Sequence, residues 1–380
     1  MELCETVDRE WEALLTLLPE DLDESAFQSG ALVRKREVQS ASVLLRLAMA
    51  YSVEGRSLRQ TAAWARAAGI ADMSDVALLK RLKSCPAWLG AVLARMLADR
   101  ACKLSGRYSG LRVRLLDATT VSRHGSKGTD WRIHVGYDLG AQVIDHVELT
   151  DEKGGETFTR HPVHEGELVI GDAGYAHRKG IHRIVSQGGH VMVRLNWQNV
   201  PLTDAAGSAV DITATLQKVR TGPAADIPVW TAPDTKAEVP AVAGRLVAIR
   251  KTKEAAERAR RRVNKQARKK GRKPDARTLL SADYIFVFTT LPPDLMSAED
   301  VLEFYRFRWQ IEIAFKRLKG ILELDEMAAQ DERLCRTFLF TKLIAALLIE
   351  QLTRPDVGFS PWGYGRPLYR IYVAPVPAGP

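Results

Sequence analysis

Tyr305, Arg308, Glu312, Lys316 and Lys319 follow one another at intervals of 3, 4, 4 and 3 residues. On an α-helix these steps gather all five on one stripe roughly 80° wide, at ~100° per residue. Phe304, Phe307, Ile311, Phe315, Leu318 and Leu322 form an adjoining apolar stripe. Such a helix buries an oily face and holds one carboxylate among cations beside the packed seam. That is the geometry a phosphate-handling site requires. Two further carboxylates stand where a sheet would present them. Asp117 lies in the strand-like run LRVRLLDATTV, on the side of Val113, Leu115 and Val121 by period-2 counting, and Asp172 follows the apolar run LVI directly.

Brought together, Asp117, Asp172 and Glu312 would repel one another, and burial would raise their pKa values. Two divalent cations about 3.5–4 Å apart relieve both costs, and they suit a site for phosphodiester transfer. Oxygen ligands favour Mg²⁺, with Mn²⁺ able to substitute, over zinc. Each residue also has a plainer reading. A lone Asp at a strand end is commonly a turn or cap residue, and Glu312 with Lys316 is an ordinary i,i+4 pair. The joint pattern is what favours the site.

The chain of 380 residues carries 55 Lys and Arg against 46 Asp and Glu, a formal charge of +9. This balance favours polyanionic partners, nucleic acid first. The longest apolar candidate, Phe338 to Leu352, is too short for a membrane span and contains Lys342. The amphipathic, acidic start does not resemble a signal peptide. Cys4, Cys85, Cys102 and Cys335 lack zinc-ligand spacing and are expected to be reduced, buried thiols of a cytoplasmic protein. The scattered His124, His134, His164 and His177 call for no metal.

The elements that must position the carboxylates follow in order. Residues 1–105 read as helical, a candidate DNA-binding domain, from the periodicity of ALLTLL, SVLLRLAMAY and AWLGAVLARMLA. Ser57 and Gln60 predict a capping box for LRQTAAWARAA, closed by Gly69, and a second helix runs from about Asp75 to Ser84. The pair is either a helix-turn-helix or two core helices. Residues 106–195 supply three strand-like runs and a fourth, ELVIGDAGYA: an antiparallel meander, then a buried strand of a mixed α/β sheet. Residues 196–290 read as a β-rich insertion, from NVPLTDAAG, VDITATL, IPVWTAP and RLVAIRK. Within it the basic run 251–273, including Arg260, Arg261, Arg262 and Lys265, has helix formers and no apolar stripe, so it is expected to be a solvated helix or arm that neutralises phosphates. Residues 291–353 return to the core through YIFVFTTL and a helix capped at Ser297. Residues 354–380 are expected to be an irregular tail.

DATTV, IGDAGY and Tyr305-x2-Arg308-x3-Glu312-x6-Lys319 together resemble the DDE transposases of bacterial insertion sequences, in the IS-four branch with its Tyr-Arg-Glu-Lys signature. The resemblance spans about residues 40–350. It implies a ribonuclease-H-like core with Asp117, Asp172 and Glu312 as catalytic, metal-binding triad, two Mg²⁺ ions, and the β-rich stretch as an insertion domain. It implies phosphate contacts from Arg308 and Lys319 and a hydrogen bond from Tyr305, with Lys316 as a further DNA contact. In relatives that cut through a hairpin, a flipped base stacks on an aromatic of the insertion's last strand, a place Tyr284 takes here. The implied activity is cleavage at terminal inverted repeats and joining of the 3′-OH to target DNA, by a homodimer on double-stranded DNA at the bacterial nucleoid. Such relatives usually continue in helices after the core, so the tail GFSPWGYGRPLYRIYVAPVPAGP reads as a truncated or frameshifted copy. The rival readings are an inactive or domesticated DNA-binding derivative and a ribonuclease-H-like nuclease without strand transfer.

Overall fold

The computed structural model describes residues 10–97, 111–122, 125, 126, 128–139, 143–269, 271–306, 308 and 331–353. Glu312, Lys316 and Lys319 lie outside the described residues, as do Cys4, Cys102, His124 and the tail.

Six helices come first: α1 (10–15), α2 (Leu22–Gln28), α3 (Ala41–Ser52), α4 (Leu58–Ala67), α5 (Asp75–Lys83) and α6 (Pro86–Leu97). The predicted capping box is present. Ser57 Oγ accepts from Gln60 N at 3.3 Å, and Gln60 Oε1 accepts from Ser57 N at 2.9 Å. Gly69, at φ 67°, takes the left-handed turn beyond α4. α6 begins on Pro86, whose missing N–H costs nothing in a first helical turn.

A nine-stranded mixed sheet follows, in the order β3-β2-β1-β4-β5-β9-β8-β7-β6. Its strands are β1 (Val113–Val121), β2 (Trp131–Asp138), β3 (Val143–Asp151), β4 (Leu168–Gly171), β5 (His190–Arg194), β6 (Leu202–Thr203), β7 (Ala225–Thr231), β8 (Ala243–Arg250) and β9 (Tyr284–Thr289). β1, β2 and β3 form the expected antiparallel meander, while β1 with β4 and β4 with β5 are parallel. β9 joins antiparallel to β5, so the strands from residues 196–290 extend the same sheet.

Helices α7 (Arg178–Ser186), α8 (Ile212–Gln217), α9 (Lys253–Lys269), α10 (Ala276–Ser281), α11 (298–306) and α12 (Glu332–Thr353) complete the described chain. Two expectations need correction. The run VDITATL, read as a β piece, is helical at α8, because Asp211 Oδ1 accepts from Thr213 N and Ala214 N and caps a helix there. The basic helix α9 does carry a seam. Ala256 and Ala267 are buried, with Ala259 and Val263 half-buried between them, a stripe narrow enough to pass as helix-forming composition.

Two apolar clusters flank the sheet. One joins the amino-terminal helices, Val113, Leu115 and Val121 of β1, Val301 and Phe304 of α11, and the inner face of α12. The other lies across the sheet, with Leu116, Val169, Tyr175 and Phe288. α12 packs on α3, α5 and α6, and Thr337 Oγ1 donates to Leu82 O at 2.6 Å. Cys85 and Cys335 are buried, and among the described residues neither forms a disulfide. Among the described residues no helix is long and apolar enough to cross a membrane.

Candidate active site

β1 and β4 run side by side in parallel, with Leu115 opposite Ile170. Two more residues along this register bring Asp117 level with Asp172, which follows the last residue of β4. The chain goes from β1 outward to β2 and β3, then crosses back to β4. The two aspartates therefore sit where strand order reverses, at the carboxyl end of β4, where α/β sheets open a crevice for ligands. Period-2 counting puts both on the face covered by α11. Asp117 Oδ1 accepts from Ala118 N at 2.9 Å, and Asp172 Oδ1 accepts from Gly174 N at 2.7 Å.

Burial pushes the Asp117 carboxyl up to about 7, with the nearby Asp172 and Glu156 adding to the rise and the Ala118 N–H and Arg308 opposing it. Glu156 is also raised, by burial first and then by Asp172, against Arg132. Three carboxylates thus share one field, and their charge is under-compensated by Arg132 and Arg308. The chemistry of this oxygen donor set fits a hard divalent cation. Among the described residues no three His, Cys, Asp or Glu side chains already form a metal cluster.

α11 brings the first part of the predicted signature to this place. Phe304 is buried in the core, which leaves Tyr305 at the edge of the seam, and Arg308 lies over its ring at 5.8 Å. Burial raises the Tyr305 hydroxyl to about 12, with Arg308 and Arg194 opposing and Asp172 reinforcing the rise. At neutral pH Tyr305 is therefore a hydrogen-bond donor. Ser297 starts the helix as predicted, its Oγ accepting from Asp300 N at 3.2 Å.

The remaining predicted residues lie elsewhere. Arg260, Arg261, Arg262 and Lys265 are exposed on α9, where Arg260 meets Asp283 at 3.2 Å and Arg261 meets Glu257 at 3.6 Å. Tyr284 is 2% exposed, with Arg250 over its ring at 5.9 Å, so it offers a stacking face only if that packing opens.

Four residues went unassigned in the sequence. Glu156 had only the Gly154-Gly155 pair before it as a hint of a turn. Arg132 meets it at 3.7 Å from the neighbouring strand β2. Tyr175, within the GDAGY motif, is fully buried behind the aspartates. Arg194 ends β5 and acts electrostatically on both Tyr305 and Lys251.

Residues 108–348, which hold both aspartates and the Tyr-Arg-Glu-Lys signature, match the family model described as "Transposase DDE domain". The chain belongs to the DDE transposase family, and it is an enzyme of the kind bacterial insertion sequences encode. It is 38% identical over 360 residues to the Escherichia coli K12 protein named "Putative transposase InsL for insertion sequence element IS186A", covering 93% of this chain and 97% of the relative. It is 38% identical over 361 residues to the E. coli transposase for insertion sequence element IS421, with the same coverage. Identity to the transposase for IS231E of Bacillus thuringiensis subsp. finitimus is 24% over 314 residues, 73% of this chain and 65% of that one. DDE transposases generally use divalent metal ions.

Proposed function

We propose that this transposase binds the terminal inverted repeats of its own element, cleaves DNA at the element ends and joins the freed 3′-OH to target DNA. The observation that carries the reading is the level placement of Asp117 and Asp172 on adjacent parallel segments, with the Asp117 carboxyl raised to about 7 by burial first and then by Asp172 and Glu156. Asp117 and Asp172, with Glu312 of the signature, would hold two Mg²⁺ ions, or Mn²⁺ in their place, on a ribonuclease-H-like core. Bound there, the ions supply activation of the attacking oxygen and stabilisation of the leaving one.

The chain's own residues do the rest. Arg308 neutralises a phosphate beside the scissile bond, and Tyr305, protonated at neutral pH, donates to the same backbone. Lys316 and Lys319, further on in the signature, would add phosphate contacts. In the first step water attacks the phosphorus and the 3′ oxygen leaves as a hydroxyl. In the second that hydroxyl attacks a target phosphodiester and displaces its 3′ oxygen. Lys251 acts electrostatically with both Arg194 and Arg262, while Arg194 also reaches Tyr305. These cations would form a track from the carboxylates towards α9, where Arg260, Arg261, Arg262 and Lys265 would hold flanking DNA. The amino-terminal helices would bind the repeats, and a homodimer would pair the two ends at the bacterial nucleoid.

The test is a joining reaction between a repeat-ended duplex and a supercoiled plasmid. Wild type should give a metal-dependent joined product, and Glu312→Gln should give none. Cleavage without any joined product would favour a nuclease and contradict strand transfer.

A further inference from the structure

We propose that Glu156 is a positioning residue of the cation site, accepting from the hydration water of a divalent cation held by Asp117 and Asp172. The inference rests on the reading of those two aspartates as cation ligands. Glu156 lies beyond the end of β3, and its two oxygens face different ways. Oε1 is turned to Arg132 Nη1, 3.7 Å away on β2. Oε2 and Asp172 Oδ1 both border the space over Gly174: a methyl group built there would overlap Oε2 and stand 3.0 Å from Asp172 Oδ1. The bare Cα of Gly174 is the notch that lets the two carboxylates approach. Like charges this close favour a counter-ion, and the Arg132 ion pair is made through Oε1, the oxygen turned away from Gly174.

A second observation points to the same ligand. The Tyr175 hydroxyl is fully buried, has no hydrogen-bond partner among the described residues, and lies in the field of Asp117, Glu156 and Asp172. A buried, unpartnered O–H in a field of carboxylates is satisfied by water held among them. Among the described residues the three carboxylates do not converge as direct ligands. Mg²⁺ characteristically keeps several of its waters, which gives Glu156 and Tyr175 something to hold. Outer-sphere partners of this kind are typically worth about 10–100-fold in metal affinity.

The experiment titrates Mn²⁺ into the full-length protein without DNA and counts free ion by electron paramagnetic resonance, with circular dichroism confirming the fold. Glu156→Gln should weaken Mn²⁺ binding by about 10–100-fold. Gly174→Ala should do the same, because the added methyl evicts Glu156, and the double variant should be no weaker than either alone. If Glu156→Gln misfolds, Gly174→Ala decides. Wild-type Mn²⁺ affinity in Glu156→Gln or Gly174→Ala, with binding lost in Asp117→Asn, would overturn the proposal and leave the aspartate reading standing. Wild-type affinity in Asp117→Asn as well would overturn both.

Discussion

At the scale of the residue, the site is a charge imbalance held in place by the fold. Asp117 carries most of it, with a carboxyl raised from 3.8 to about 7 by burial and by its acidic neighbours. Two consequences of opposite sign follow for Asp117→Asn. Cation-dependent cleavage should fall by more than the ~10–100-fold that loss of an outer-sphere partner costs, while gel-shift affinity for DNA stays. The ion-free protein at pH 8 should become more stable by about 1–4 kcal/mol in urea titration, since a carboxylate that resists ionisation is a burden once ionised. A variant that loses stability and DNA binding together would mark Asp117 as structural. Asp117 and Asp172 were legible because strand periodicity and the apolar run before Asp172 are local patterns. Glu156 was not, because what gives it meaning is a glycine 18 residues further on and an arginine on another strand.

At the scale of the element, β1 is fixed from its far face by a buried ion network. A β-bulge beside Gly136 and Tyr137 turns Asp145 to the face of His146, where it accepts from Arg114 Nε at 2.8 Å and Arg112 Nη2 at 2.9 Å. Glu167 completes the group at 3.5 Å from Arg114, which also donates to Pro162 O at 2.6 Å. Arg114→Met should therefore cost about 3–5 kcal/mol in chemical unfolding, because it strips the closer cation from buried Asp145 and Glu167 and leaves Arg112 to balance them alone. Nearby, His134, His146 and His161 are kept neutral. Burial leads in all three; it lowers His134 to about 4, helped by Arg160, Arg132 and His146 and opposed by a Gly154 backbone contact. Between pH 6.5 and 4 the unfolded chain takes up protons that the folded one refuses. Stability from these imidazoles is thus full above pH 6.5 and lost as pH falls towards 4, on the order of 1–3 kcal/mol for His134. Melting temperatures measured from pH 7 to pH 4 should fall accordingly, and His134→Gln should flatten the slope. The α4 capping box and the strand runs could be read directly, since each is a local signal. The α8 cap was hidden by β-branched neighbours, the α9 seam by alanine, and the histidine cluster by a bulge that no spacing announces.

At the scale of the whole molecule, one sheet carries both the carboxylates and the strands that lead to the basic helix. The composition foretold an anionic partner, but Arg308 and Arg194, which both act on Tyr305, and Lys251, which feels Arg194 and Arg262, come from separate parts of the chain that no local pattern links. If DNA follows these cations, replacing Arg261, Arg262 and Lys265 by Ala should weaken binding uniformly across sequences. The slope of log K against log salt should become shallower by about 0.9 for each phosphate no longer neutralised. An unchanged slope would detach α9 from the DNA. The most direct test of the central claim is to map nicks on a duplex carrying the sequences that flank this gene, with wild type and Asp172→Asn, in Mg²⁺ and in EDTA. A nick at the repeat boundary that needs Mg²⁺ and disappears in Asp172→Asn, with binding retained, is the predicted result; the same nick in EDTA or in Asp172→Asn would contradict it.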